Sequence, residues 1–180
     1  MRISVFGGSA PKPSEPAYQE AYRLGQLIGQ AGHTVLTGGY IGTMEAVSRG
    51  AAEAGGYVIG VTCDEIETWR PVGPNQWVQE ELRFPSVRER MFTLIEECDA
   101  AFALPGGVGT LAEIAVMWNQ MQTGAIQVRP FILIGEGWEN TFKHVFESFP
   151  SYIPPTQRQL ITFAPEVDIA FERLLEFVNH

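Results

Sequence analysis

With 180 residues, 45% of them hydrophobic and 18% charged, the chain has an ordinary globular composition and the length of one domain, enough to bury about two-thirds of its unfolded surface. A formal net charge of −9 argues against a nucleic-acid backbone as partner. The first apolar run ends at Gly7, too short for a signal-peptide core, and no run approaches membrane-spanning length, so a soluble cytoplasmic protein without a membrane partner is expected.

Arg2 to Phe6 reads as a first strand running into Gly7-Gly8-Ser9-Ala10, followed by a loop with Pro11, Pro13 and Pro16. The spacing of Ala17, Ala21, Leu24, Leu27 and Ile28 predicts a helix over 16–30, ended by Gly32. A strand over 33–36 leads into Thr37-Gly38-Gly39-Tyr40-Ile41-Gly42-Thr43, then a helix over 44–54 and a strand over 57–62. Residues 63–76 read as irregular, with Pro71 and Pro74, and 77–84 as a short strand. Pro85-Ser86 opens the next helix with a capping box, Ser86-x-x-Glu89, and Val87, Met91, Leu94, Ile95 and Cys98 are expected on its core face with Arg90 beside it. After a strand at 100–104 come a glycine turn, a helix over 110–122, a strand over 130–134 and a helix over 139–149. Pro150, Pro154 and Pro155 break the chain before a strand at 161–164 and a closing helix to about 178.

Strands that alternate with helices point to a mostly parallel sheet covered on both faces. In such a sheet every strand-to-helix turn lies at one edge, where ligands bind. Three glycine turns fall there, at 7–9, 38–42 and 106–109. The third stands in Pro105-Gly106-Gly107-Val108-Gly109-Thr110-Leu111-Ala112-Glu113, between an apolar strand and a strongly apolar helix. Glycines let a ligand approach the backbone, and a helix start offers unpaired N–H groups and partial positive charge. Together they suit an anion, above all a phosphate. Thr110-x-x-Glu113 is also a capping box, a competing reading that does not need the three glycines.

Several nucleotide chemistries are disfavoured. Gly7-Gly8-Ser9 is not the dinucleotide fingerprint, no acidic residue closes the second strand, and the P-loop signature is missing. Pyridoxal phosphate needs a Schiff-base lysine, and neither Lys12 nor Lys143 is suitably placed. Cys63 and Cys98 read as buried thiols. With His33, His144 and His180 scattered and no metal-ligand spacing, neither a metal nor a resident cofactor is indicated.

The stretch 88–121 resembles the LONELY GUY (LOG) family of nucleoside 5′-monophosphate phosphoribohydrolases, formerly labelled lysine decarboxylases. Pro105, Gly106, Gly107, Gly109, Thr110 and Glu113 match the family motif P-G-G-x-G-T-x-x-E in full. Phe-Gly-Gly-Ser at 6–9 and Gly38-Gly39-x-x-Gly42 are similar to its other two ligand turns. The resemblance implies a single Rossmann-like domain over 1–180, an α/β three-layer sandwich that forms a homodimer with the active site near the interface. It implies hydrolysis of the N-glycosidic bond of a purine or cytokinin-type nucleoside 5′-monophosphate to free base and ribose 5-phosphate. The catalytic pair it implies is Arg90 and Glu113, with Gly8, Ser9, Gly38, Gly39, Gly42, Thr43, Gly106, Gly107, Gly109 and Thr110 around the phosphate and nucleotide. The family usually reads M-H-x-R-K where this chain has Val87-Arg88-Glu89-Arg90-Met91, so the arginine is kept while the histidine and lysine are replaced. More distant members resemble this variant, and some are described as molybdenum-cofactor carriers, which makes a non-catalytic binder or carrier the alternative.

The chemistry suits the residues. Glycosidic cleavage passes through an oxocarbenium-like ribose, which a carboxylate such as Glu113 can stabilise while activating water. Arg90 can fork onto phosphate or carboxylate. Met117, Trp118 and Met121 lie on a segment apolar nearly all round, as expected of a helix between the sheet and a partner subunit. Tyr40, Trp69 and Trp77 fall in loops, where an aromatic can meet a base, and Arg70 and Arg83 read as surface charges.

Overall fold

A computed structural model describes residues 1–178. Seven strands alternate with eight helices: β1 (Arg2–Phe6), α1 (Pro16–Gln30), β2 (Thr34–Thr37), α2 (Thr43–Glu53), β3 (Tyr57–Cys63), α3 (Asp64–Trp69), β4 (Glu80–Phe84), α4 (Val87–Glu96), β5 (Ala100–Ala103), α5 (Val108–Thr123), β6 (Phe131–Ile134), α6 (Glu136–Ser148), α7 (Pro155–Arg158), β7 (Thr162–Ala164) and α8 (Val167–Val178). All seven strands join one parallel sheet in the order β4-β3-β2-β1-β5-β6-β7. Ile3 of β1 stands opposite Val35 of β2 on one side and Ala100 of β5 on the other. The order runs outward both ways from the β1–β5 pair, so the crevice of this doubly wound sheet opens beyond the carboxyl ends of those two strands.

The central strands are buried on both faces, which is why Ile-Ser-Val-Phe, Ala-Ala-Phe-Ala and Phe-Ile-Leu-Ile read as short near-continuous apolar runs. One layer, with Tyr18, Leu24, Ile28, Val47 and Leu174, packs α1, α2 and α8 on Val5, Phe102 and Ile132. The other packs α4, α5 and α6 on Phe6, Ala101 and Leu133, with Phe6 edge-on to Phe131 at 6.1 Å. Glycines bring α1 and α2 into backbone contact: a Cβ on Gly25 would overlap the Val47 carbonyl, and one on Gly50 the Tyr22 carbonyl.

The long elements stand where periodicity predicts them, and the departures are local. Residues 64–69, expected to be irregular, form α3, a six-residue helix with Asp64, Glu65 and Glu67 in its first turn favouring the dipole. It is too short and too acidic to show a helical stripe. The strand expected at 77–84 shrinks to β4, α7 appears among the prolines, and α6 starts three residues early. On α1 the buried face takes Tyr18 in place of the exposed Ala17. On α4 the buried residues are Arg90, Leu94 and Ile95, so Val87 is exposed and Arg90 points inward with the core face. The Ser86 cap forms as predicted: Glu89 N–H donates to Ser86 Oγ at 3.2 Å, and the Ser86 hydroxyl donates to Glu89 Oε2 at 2.6 Å.

Candidate active site

The three glycine turns meet at the sheet crevice and lock together. Gly8 N–H donates to Pro105 O at 3.1 Å, and Thr43 N–H donates to Gly8 O at 2.9 Å. This contact needs small residues. A Cβ on Gly7 would press on Thr43, and one on Gly106 would overlap Thr110 Oγ1. Gly39 (φ 77°) and Gly42 (φ 71°) hold left-handed backbone in the turn after β2. Asn75 fixes that turn from outside, its side-chain amide donating to Gly39 O and Tyr40 O, both at 2.9 Å.

The third turn delivers the start of α5. The helix begins at Val108, two residues before the predicted start, with Gly107 at the N-cap and no side-chain cap. Thr110 therefore lies inside the first turn, and the Thr110–Glu113 capping box is not formed. Among the described residues, no backbone hydrogen bond uses the N–H groups of Gly107, Val108, Gly109 or Thr110. A 16-residue helix thus aims unpaired donors and its positive dipole end at the crevice.

Opposite this helix start lies a cavity of about 320 Å³, lined by Gly8, Ser9, Gly107, Gly109, Thr110, Arg90 and Glu113 together with Tyr40, Met44, Ile66, Trp69 and Arg70. The remaining expected site residues, Gly38, Gly39, Gly42, Thr43 and Gly106, lie outside this lining and shape the turns beneath it. Gly38 has a task of its own: a Cβ there would overlap the Arg90 guanidinium.

Arg90, 7% exposed, reaches from α4 under the cavity floor. Its Nε donates to Val61 O at 2.8 Å, its Nη2 lies 3.8 Å from Met44 Sδ, and its Cζ sits 5.6 Å from the Tyr40 ring centre. Tyr40 is itself pinned, its hydroxyl accepting from Cys63 N–H at 2.8 Å. Nη1 of Arg90 stands 3.9 Å from Glu113 Oε1. Glu113 is 12% exposed along its side chain. Burial raises its carboxyl to about 7, against the opposing pull of Arg90. The two groups make an ion pair beyond hydrogen-bond distance, and both line the cavity.

The aromatics sort by position. Tyr40 is 1% exposed with Arg90 over its ring, so it has no free face on which a base can stack. Trp69 stands at the rim, 78% exposed. Trp77 lies outside the cavity lining, against Arg49, whose Cζ is 5.8 Å from its ring centre. Trp118 packs within the chain, edge-on to Phe142 and Phe146, with Nε1 donating to Gln157 O at 2.8 Å. Arg83 is the surface charge expected, paired with Asp64 and Glu67. Arg70 is not: it lines the cavity and donates to Ser9 Oγ at 3.1 Å. Nothing local distinguishes Arg70 from a surface charge, since its reach to residue 9 is a tertiary contact. Arg88 is exposed and Met91 half-buried, and neither lines the cavity.

By fold and crevice the chain is a Rossmann-like α/β protein with a small-molecule cavity at its topological switch point. It belongs to the SLOG cluster4 family, whose model matches residues 1–136. Among named relatives, the chain is 32% identical to the probable cytokinin riboside 5′-monophosphate phosphoribohydrolase LOGL5 of Oryza sativa subsp. japonica, over 98% of this chain and 72% of that one. It is 31% identical to the cytokinin riboside 5′-monophosphate phosphoribohydrolase LOG3 of Arabidopsis thaliana, over 98% and 82% of the two chains. Its fold is shared by the solved structure of the molybdenum cofactor binding protein from Rippkaea orientalis, with a TM-score of 0.76 at 24% identity, covering 98% of this chain and 96% of that one. Among the described residues no helix is long and apolar enough to cross a membrane, and no cluster of metal-ligating side chains forms.

Proposed function

We propose that this protein hydrolyses the N-glycosidic bond of a purine or cytokinin-type nucleoside 5′-monophosphate, releasing free base and ribose 5-phosphate. The observation that carries the reading is one cavity lined both by the uncapped start of α5 and by the Arg90–Glu113 pair, with Glu113 one turn along that same helix. The named relatives, identical at about a third of positions over nearly the whole chain, support the substrate class.

In this mechanism the α5 start and the turn at 8–9 hold the 5′-phosphate. The ribose lies toward Glu113. As the bond from C1′ to the base nitrogen lengthens, its electron pair leaves with the base and positive charge spreads over C1′ and the ring oxygen. The Glu113 carboxylate stabilises that charge and takes a proton from the water that attacks C1′. A carboxyl near 7 suits a group that accepts the water's proton and then gives it to the departing base nitrogen, so that neutral base and ribose 5-phosphate leave and the carboxylate is restored. Arg90, held by Val61 O and Tyr40, fixes the carboxylate and adds positive charge near the phosphate. The substitutions at Arg88 and Met91 leave this machinery untouched, since both lie outside the cavity.

We place a twofold partner on the outer face of α5. Leu111 is 43% exposed and Ala115 one turn further on is exposed too, so this face continues the apolar character of the helix beyond what the sheet covers, and Val108, 84% exposed, joins it to the cavity rim.

A chromatographic screen of nucleoside 5′-monophosphates for released base tests the reading. Base and ribose 5-phosphate are expected in equal amounts, and Glu113→Gln is expected to stop release while nucleotide binding persists. Tight binding with no release from any nucleotide would make the protein a carrier.

A further inference from the structure

We propose that Arg70 selects the phosphate-bearing form of the ligand over its dephosphorylated form, with Trp69 holding the guanidinium at the cavity rim. The inference rests on the nucleotide reading above and names a residue that the motif does not contain.

Arg70 follows α3, and α3 is tied down on two sides. Arg83 from β4 forks onto Glu67 at 2.8 and 3.0 Å and reaches Asp64 at 2.8 Å. Val87 N–H, at the start of α4, donates to Glu65 Oε2 at 2.8 Å. The wall that presents Arg70 is therefore part of the scaffold and not a loose loop. From it the Arg70 guanidinium crosses the cavity to Ser9, with Cζ 5.5 Å from the Trp69 ring centre. Ser9 adjoins Gly8, whose N–H is bonded to Pro105, so Arg70 ends beside the turn that starts α5.

Two observations show that Arg70 is incompletely satisfied within the chain. Its Nε is buried and has no hydrogen-bond partner, and among the described residues no carboxylate lies within ion-pair distance of it. A guanidinium whose Nε is unpaired and whose one side-chain partner is a neutral hydroxyl gains from an incoming anion, which its terminal nitrogens meet on the cavity side. The charged residues of the cavity are Arg70, Arg90 and Glu113, a net positive lining in a chain of net charge −9. Arg90 answers Glu113, which leaves Arg70 and the α5 donors for the ligand. A phosphate monoester dianion fits that surplus, and a neutral nucleoside does not. The Ser9 hydroxyl serves as a resting partner that a phosphoryl oxygen replaces.

The test compares parent, Arg70→Ala and Arg70→Lys, each checked for native circular dichroism. Calorimetric binding of AMP and adenosine is measured in the Glu113→Gln background, and base release from AMP and adenosine in the native background. Loss of the guanidinium is expected to weaken AMP binding about 10- to 100-fold, to raise KM for AMP far more than it lowers kcat, and to shrink the preference for AMP over adenosine by a similar factor. Lysine is expected to restore part of the affinity, since it keeps the charge but loses the fork. AMP affinity within twofold of the parent in Arg70→Ala overturns the proposal, as does a parent that binds adenosine as tightly as AMP. A parent that binds AMP but releases no base defeats the hydrolase reading alone, and the binding comparison still decides the role of Arg70.

Discussion

Glu113 carries opposing demands of stability and chemistry. Its carboxyl titrates near 7 in the folded protein against an ordinary 4.5, because burial disfavours its charge more than Arg90 favours it. Between those values the folded state holds a proton that the unfolded state has released, so stability falls as pH rises from about 4.5 to 7, by on the order of 3 kcal/mol in all. Glu113→Gln removes that penalty. Urea unfolding should find the variant about 1–3 kcal/mol more stable than the parent at pH 8 and nearly equal to it at pH 4. The same titration should appear in the reaction: kcat/KM should rise with pH through about 7 as the carboxylate forms, and level off above it. Arg90 depends in turn on a residue with no side chain. A methyl group at position 38 would occupy the space of its guanidinium, so Gly38→Ala should lower kcat about 100-fold with far-UV circular dichroism unchanged.

At the scale of elements, α1 and α2 are the pair most sensitive to small changes. Their backbones touch through Gly25 and Gly50, leaving no room for a Cβ between helices that cover the same face of the sheet. Gly25→Ala should cost about 2–3 kcal/mol in denaturant unfolding despite the better helix propensity of alanine, because the helices must separate. The elements differ in how plainly the sequence announces them. Strands β1 and β6 are apolar runs closed by glycine, β5 is one stopped at Pro105, and α1 repeats its apolar positions over four turns, so local pattern suffices. α3 is held by Arg83 and by Val87, partners 16 or more residues away, and no local pattern contains them. The site divides in the same way. The motif at 105–113 is visible as glycine turn and helix start, whereas the burial of Tyr40, the inward aim of Arg90 and the reach of Arg70 to Ser9 depend on which turns the sheet order brings together.

Across the whole molecule, one sheet edge gathers the turns after β1, β2 and β5, and the outer face of α5 runs away from that edge toward solvent. Pairing of two copies through that face would set each cavity close to the other subunit. Leu111→Glu should then convert a dimer into a monomer in sedimentation velocity at micromolar concentration, whereas the parent should remain dimeric. The absence of a side-chain cap at Gly107 has a practical consequence too. Any small anion that satisfies those idle amides supplies the cap, and the native state gains RT ln(1 + [L]/Kd), about 2.7 kcal/mol at a hundredfold excess over Kd. Heat denaturation in the presence of candidate metabolites, one per well, is therefore a direct way to ask the protein which of them it was shaped to hold.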